Sequence, residues 1–309
     1  MNSFKVGVDV HESVLVLGPD ERRALLRRIE DAGLDHVAVG DHVGFHGGTG
    51  FDGMVSATAA ATSSDRLSVL LSVYQLALRH PMTVSRQLAS LAQLAPGRVV
   101  FGVGAGGEDR SEVSNCGVDP STRGRRLDES LTVLRQLATG EPVDHAGEFF
   151  ELKDARILPA PQPRVPVVIG GASPAAVRRT ARFGDGWLGI FCSARRFAAT
   201  VEAIRAESDR IGRPAPQWLG LNVWCGLDPD ASAARDLLAP RMGALYNLPF
   251  AKFERIAPAG TPADVAAWLA PFVEAGARHL TLITAASSPE AGVDLAAEVK
   301  QRLTLEEDR

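Results

Sequence analysis

His42 is the residue best placed by type and context to do chemistry. It closes the segment Gly40-Asp41-His42, at the end of an apolar run. An imidazole can take up or release a proton near neutral pH, so His42 is a candidate catalytic acid or base. The structural alternative is a ring bonded to a loop carbonyl. Asp41 alternates in facing and need not touch the same group. His46 lies farther along a glycine-rich loop, where it either reaches over a pocket or faces solvent. Asp41, His42 and His46 lack a fourth convergent ligand, so no metal site is expected. Glu108 directly follows Gly102-Val103-Gly104-Ala105-Gly106-Gly107 and is a second candidate acid, or else a surface carboxylate.

That glycine run satisfies G-x-G-x-x-G in form only. A dinucleotide fingerprint needs a helix to open at once and hold the pyrophosphate. Here Gly107–Ser121 reads as a polar loop, broken by Asn115, Gly117 and Pro120. The glycines suit close backbone approach to something flat. Gly170-Gly171-Ala172-Ser173 lies between an apolar run and a helical pattern opened by Pro174. Free N–H groups there make an anion site, with Arg178 and Arg179 nearby; the plainer reading is a turn with a serine cap. Arg79 and His80, before Pro81, are candidates to touch a charged tail.

These positions fall at the ends of short apolar runs that alternate with amphipathic ones. Strands are expected at Phe4–Val10, Leu34–Asp41, Leu67–Gln75, Val99–Gly106, Pro166–Gly171, Gly186–Phe191, Trp218–Cys225 and His279–Ala285. Helices are expected at Asp20–Ala32, Asp52–Thr62, Pro81–Leu94, Arg123–Ala138, Ala172–Phe183, Ala194–Ile211, Ala231–Ala244, Thr261–Ala275 and Pro289–Leu303. Glu141–Leu152 reads as a small hairpin. Crossovers of this length force parallel neighbours, and about eight βα units suit a closed α/β barrel. The expected fold is a (β/α)8 TIM barrel with a short hairpin insertion and extended βα loops. A doubly wound open sheet is the rival, and it needs more polar edge strands. The whole chain, 1–309, is expected to be one barrel domain.

The chain has 309 residues with 33 Lys+Arg against 37 Asp+Glu, a balance that offers no field for a nucleic-acid backbone. No apolar run approaches membrane-spanning length and no cleavable signal pattern opens the chain. A cytoplasmic setting, no membrane partner and a small-molecule substrate are therefore expected. Cys116, Cys192 and Cys225 are far apart and read as free thiols. Signatures of P-loop enzymes, zinc peptidases and α/β-hydrolases are absent.

The strand-end segments resemble the luciferase-like barrel superfamily, and within it the coenzyme F420-dependent oxidoreductases. The residues carrying the resemblance are Gly40-Asp41-His42, Leu71-Ser72-Val73, Arg79-His80-Pro81, Pro96-Gly97-Arg98 and Gly102–Gly106. Arg126–Glu129, Gly147–Phe150, Val168–Gly171, Gly184–Trp187 and Gly260-Thr261-Pro262 extend it in order along nearly the whole chain. The resemblance implies an F420-dependent dehydrogenase or reductase, with FMN-dependent monooxygenation and non-catalytic flavin binding as alternatives. It implies that Asp41 and His42 lie beside the deazaflavin. It also implies a non-proline cis peptide at Ser72-Val73, with Gly104 and Gly106 at the ring edge. Gly170, Gly171 and Ala172 would hold the cofactor phosphate, Glu108 would match the acid of a sugar-phosphate dehydrogenase, and the chain would form a homodimer. Where that dehydrogenase has an active-site tryptophan, this chain has His46, and basic residues for a sugar phosphate are not grouped.

Overall fold

The computed structural model describes residues 4–106 and 109–307. Its first half runs β1 (Lys5–Asp9), α1 (Pro19–Asp31), β2 (His36–Val39), α2 (Gly53–Ala61), β3 (Ser68–Tyr74), α3 (Pro81–Leu94), β4 (Val99–Val103), α4 (Arg110–Asn115) and α5 (Arg123–Leu137). A hairpin of β5 (Val143–Ala146) and β6 (Glu151–Ala155) follows. The second half is β7 (Val167–Gly170), α6 (Pro174–Phe183), β8 (Gly186–Gly189), α7 (Ala194–Arg210), β9 (Trp218–Leu227), α8 (Ala231–Tyr246), β10 (Ala259–Gly260), α9 (Pro262–Glu274), β11 (His279–Ala285) and α10 (Pro289–Glu307).

β9, β11, β1, β2, β3, β4, β7 and β8 are hydrogen-bonded in that order, and β8 pairs back onto β9. All these pairings are parallel. The result is the expected eight-stranded α/β barrel, closed rather than open. The two-residue β10 adds to the end of β9. The hairpin is present, and Glu129 pins its turn by accepting from the N–H groups of Glu148, Phe149 and Phe150.

Strand residues alternate between two environments. Val37, Val39, Leu71, Val167, Ile169 and Trp187 belong to the main core that includes Leu26, Leu127 and Phe197 of the helices. Ala38, Leu70, Val168 and Leu188 form a separate apolar layer inside the barrel. At the N-terminal end of the strands, His36 bonds Thr281 Oγ1 at 2.9 Å, from β2 to β11 across β1. Gly7 makes this crossing possible, because a Cβ there would lie 2.5 Å from the His36 ring. Trp218 stacks on His279 at 4.2 Å in the same region. The barrel is thus plugged at one end, and any ligand must enter from the other.

One expectation fails in detail. The stretch 107–121 is not wholly loop: it contains α4, whose N-cap Asp109 accepts from the N–H groups of Ser111 and Glu112. Six residues are too few for autonomous helicity. The turn is held instead by Val113, buried against Leu78 and Val118, and by the contacts of Glu112 described next.

Candidate active site at the barrel rim

A cleft of about 1220 Å³, counting its open mouth, lies where the strands end. It is lined by His42 after β2, Ser72 and Val73 of β3, and Gly104 and Gly106 at and beyond the end of β4. Gly170 of β7, Gly171 and Ser173 before α6, and Asn222 of β9 complete this part of the wall. The floor is polar. Asn222 Nδ2 donates to Ser72 Oγ at 2.5 Å, joining strands on opposite sides of the ring.

The Ser72–Val73 peptide is cis, and the β3–β4 register shifts between Leu71 and Tyr74. Val73 therefore packs against Gly104, where a Cβ would come within 2.6 Å of its Cγ2. The same side chain lies close to Gly170. Glycine is needed at Gly104 for the valine to sit there at all.

Asp41 lies at the cleft wall with its side chain fully enclosed. Its carboxylate accepts from both terminal nitrogens of Arg79, at 2.7 and 2.8 Å, and from the N–H groups of Gly53 and Gln75. Burial acts to raise this carboxyl, and Arg79 and those N–H groups oppose it. Arg79 also bonds Asp52, the N-cap of α2. Arg79, between β3 and α3, is thus committed to both ends of the β2–α2 loop, not to a charged tail. His80 is taken up as the N-cap of α3, accepting from Met82 N.

His42 Nδ1 lies 3.3 Å from both carboxylate oxygens of Glu112. Glu112 also accepts from Val43 N, Gly44 N and Gln75 Nε2. Burial works to raise the Glu112 carboxyl, but the Gln75 amide, the Gly44 and Val43 N–H groups and His42 together hold it below the usual range. An ionised Glu112 can only accept, so His42 Nδ1 is the donor. Gln75 Nε2 is also 3.3 Å from Nδ1, but its two hydrogens are spent on Asp41 O and Glu112. The Nε2 of His42 is then left as an acceptor at the cleft, with the side chain about one-third exposed. Phe45 packs on the same ring at 4.2 Å.

The structure brings Asp41, His42, Ser72, Val73, Gly104, Gly106, Gly170 and Gly171 to one cleft, and Ala172 sits between the lining residues Gly171 and Ser173. Glu108 lies outside the described residues. His46 is exposed against Phe45, its N–H bonded to Asp109. Arg179 is buried on Asp128 at 2.6 Å, while Arg178 is exposed. Ser173 caps α6. Among the described residues no group of three or more His, Cys, Asp or Glu could hold a metal ion. None of the described helices is long and apolar enough to cross a membrane.

Sequence reasoning missed Glu112 and Gln75. The one trace of Glu112 in the sequence is its spacing, an acidic residue three positions after Asp109, as in a capping-box pattern. Here the glutamate turns away from its own helix to the loop bearing His42.

A parallel barrel with a cleft at the C-terminal rim, a cis bulge in β3 and an acid-backed histidine defines the class. The model of the luciferase-like monooxygenase family matches residues 2–279, and the chain belongs to that family. An uncharacterised protein of Mycobacterium tuberculosis is 34% identical over 160 residues, 51% of this chain and 54% of that one; the chain thus spans about half the length of this relative. The F420-dependent glucose-6-phosphate dehydrogenase of Rhodococcus hoagii is 28% identical over 294 residues, 85% of this chain and 87% of that one. An F420-dependent secondary alcohol dehydrogenase, solved with an F420–acetone adduct, shares the fold. Its TM-score is 0.85 at 22% identity, covering 97% of this chain and 99% of that one.

Proposed function

We propose that this chain is an F420-dependent oxidoreductase that moves a hydride between the deazaflavin and a small organic substrate. The observation that carries the reading is His42, its Nδ1–H directed to an ionised Glu112 and its Nε2 left toward the cleft. The family membership and the F420-dependent relatives support the choice of cofactor.

The residues present fit that cofactor. Gln75 Oε1 and Asn222 Oδ1 are buried acceptors without a hydrogen-bond partner, and both residues line the cleft. Such acceptors suit the N–H of a pyrimidinedione edge. Val73, Gly104 and Gly106 would flank the ring. The N–H groups of Gly170, Gly171 and Ala172 would hold the phosphate at the start of α6. Bound F420 supplies a hydride acceptor, or a donor when reduced. Asp41 anchors the loop on which His42 rides. His42 Nε2 takes a hydroxyl proton in oxidation and returns it in reduction, and Glu112 stabilises the charged ring. Glu108 is carried as an auxiliary acid on the resemblance alone. In the same reading the protein works in the cytoplasm as a homodimer.

Titration of the purified protein with F420 and with FMN tests the cofactor. F420 is expected to bind and FMN to bind weakly or not at all; saturable binding of FMN alone overturns the assignment. A substrate panel with the loaded protein, followed by absorbance of F420, then tests turnover.

A further inference from the structure

The geometry points to an uncharged substrate with an apolar body and a single reacting hydroxyl or carbonyl oxygen, rather than a phosphorylated or otherwise anionic one. This inference rests on the reading above that F420 is the redox partner and His42 the proton carrier.

The first observation is the wall facing His42. β8 is four strands from β2 in either direction around the ring, so the residues after β8 lie across the mouth from those after β2. Those residues are Ile190 and Phe191, and both line the cleft. Phe191 packs edge-on against Tyr246 at 5.4 Å. Phe253 lies behind both, at 5.8 and 5.4 Å. Trp224 Nε1 donates to the Tyr246 hydroxyl at 3.0 Å. The half-buried rings of Phe191 and Tyr246 are therefore fixed from behind and offer the cleft a preformed apolar surface, a feature that favours an apolar ligand body. Phe45, packed on the His42 ring, adds an aromatic group to the cleft wall on the His42 side.

The second observation is charge. Arg179 is the one cation among the described lining residues, and Asp128 and the Gly124 carbonyl already engage it. Arg79, behind Asp41, is spent on Asp41 and Asp52. Glu112 adds a carboxylate beside His42. An anionic substrate would lose water here and gain no free cation among the described lining residues. An alcohol meets no such penalty. In its oxidation the O–H proton passes to His42 Nε2, the carbinol C–H leaves with its electron pair for F420, and the C=O bond forms. Ketone reduction is the reverse.

The test is calorimetric titration of the F420-loaded protein with acetophenone, 2-heptanone and glucose 6-phosphate, repeated on the bare protein and paired with turnover of the corresponding alcohols. The uncharged probes are expected to bind and glucose 6-phosphate not to. Phe191→Ala is expected to weaken probe binding by about tenfold, with less than about twofold change in F420 affinity. Phe191→Leu, which keeps the bulk but removes the ring, guards against a folding defect and is expected to weaken binding in the same direction. Glucose 6-phosphate binding tighter than every uncharged probe overturns the substrate class, and so do unchanged probe affinities in both Phe191 variants. If F420 loads and only glucose 6-phosphate turns over, the substrate class falls and the cofactor reading stands. If F420 fails to load while the probes still bind through Phe191, the cofactor reading falls and the cleft assignment stands.

Discussion

Asn222 and Ser72 join opposite walls of the barrel through one hydrogen bond of 2.5 Å, directly beneath the cleft. Few contacts can link strands so far apart in the ring, because most of the barrel interior is filled by aliphatic layers that touch without direction. Removing the donor by Asn222→Ala leaves Ser72 without its partner at the cleft floor. A loss on the order of 1–3 kcal/mol is expected, read as a lower midpoint in urea. Asn222→Asp replaces the donor with an acceptor and is expected to weaken F420 binding more than Asn222→Ala does, because it adds a negative charge to the floor. Equal F420 affinity in both variants would show that the floor does not sense the cofactor.

Arg79 and Asp41 set the position of the loop that carries His42. The Asp41 side chain is 0% exposed, and Arg79 is its only cationic partner among the described residues. Arg79→Met strands a buried carboxylate, a change that typically costs roughly 3–5 kcal/mol. Without Arg79, burial raises the Asp41 carboxyl further, so the folded variant prefers the protonated acid. Its deficit relative to wild type should therefore shrink as pH falls toward 5. Chemical denaturation of both proteins at pH 5 and pH 8 checks the sign; a deficit independent of pH would place the damage elsewhere.

The barrel was legible in the sequence because its signals are local and repeated. Pro81, Ser173-Pro174 and Thr261-Pro262 mark helix starts that the structure keeps, and aliphatic runs mark each barrel strand. The strand ends were legible through their glycines and His42. The partners of those residues were not. Glu112 lies 70 positions from His42, on a helix too short to announce itself. Asn222 lies 150 positions from Ser72, in a run that reads simply as a strand. Such pairs exist only once the ring closes, and the local pattern carries no record of which strands will face each other. Arg79 shows the same limit. Its charge was visible, but Asp41 and Asp52 as the groups that consume it were not.

The plugged end of the barrel should make the fold acid-sensitive. Burial holds His36 down to about 4 and His279 down to about 3, both from 6.5. A histidine depressed in the folded state gives stability that is fully present above 6.5. That stability is lost as pH falls through the window down to the folded value, because the unfolded chain takes up a proton that the fold refuses. For His36 alone this amounts to roughly 3 kcal/mol by pH 4. Asp9, raised to about 7 by burial, works in the opposite direction between its unfolded value and 7. The informative quantity is thus the difference between wild type and His36→Gln, a variant that keeps a polar group near Thr281 but cannot titrate. That difference should favour wild type most at pH 7.5 and shrink or reverse at pH 5. A difference constant across this range would rule out His36 as the titrating group.

His42 and Glu112 should separate chemistry from binding. His42→Ala removes the proton carrier but leaves Val73, Gly104 and Gly170 in place, so turnover should fall by about 10²–10⁴ while F420 affinity barely changes. Glu112→Gln keeps the size of the side chain but loses the charge that stabilises the protonated ring. Its amide also offers a donor where His42 Nδ1 requires an acceptor, which favours the wrong tautomer. Turnover should drop by about 10–100-fold, with a smaller loss of F420 affinity, because Glu112 lines the cleft beside His42 and also holds Gln75 Nε2. Glu112→Asp retains the charge and should recover part of the loss. Single-turnover kinetics alongside F420 titration distinguish these outcomes. If Glu112→Gln lowers F420 affinity as much as turnover, the glutamate acts by holding the rim loop and not by orienting the imidazole. If His42→Ala turns over at the wild-type rate, another group carries the proton.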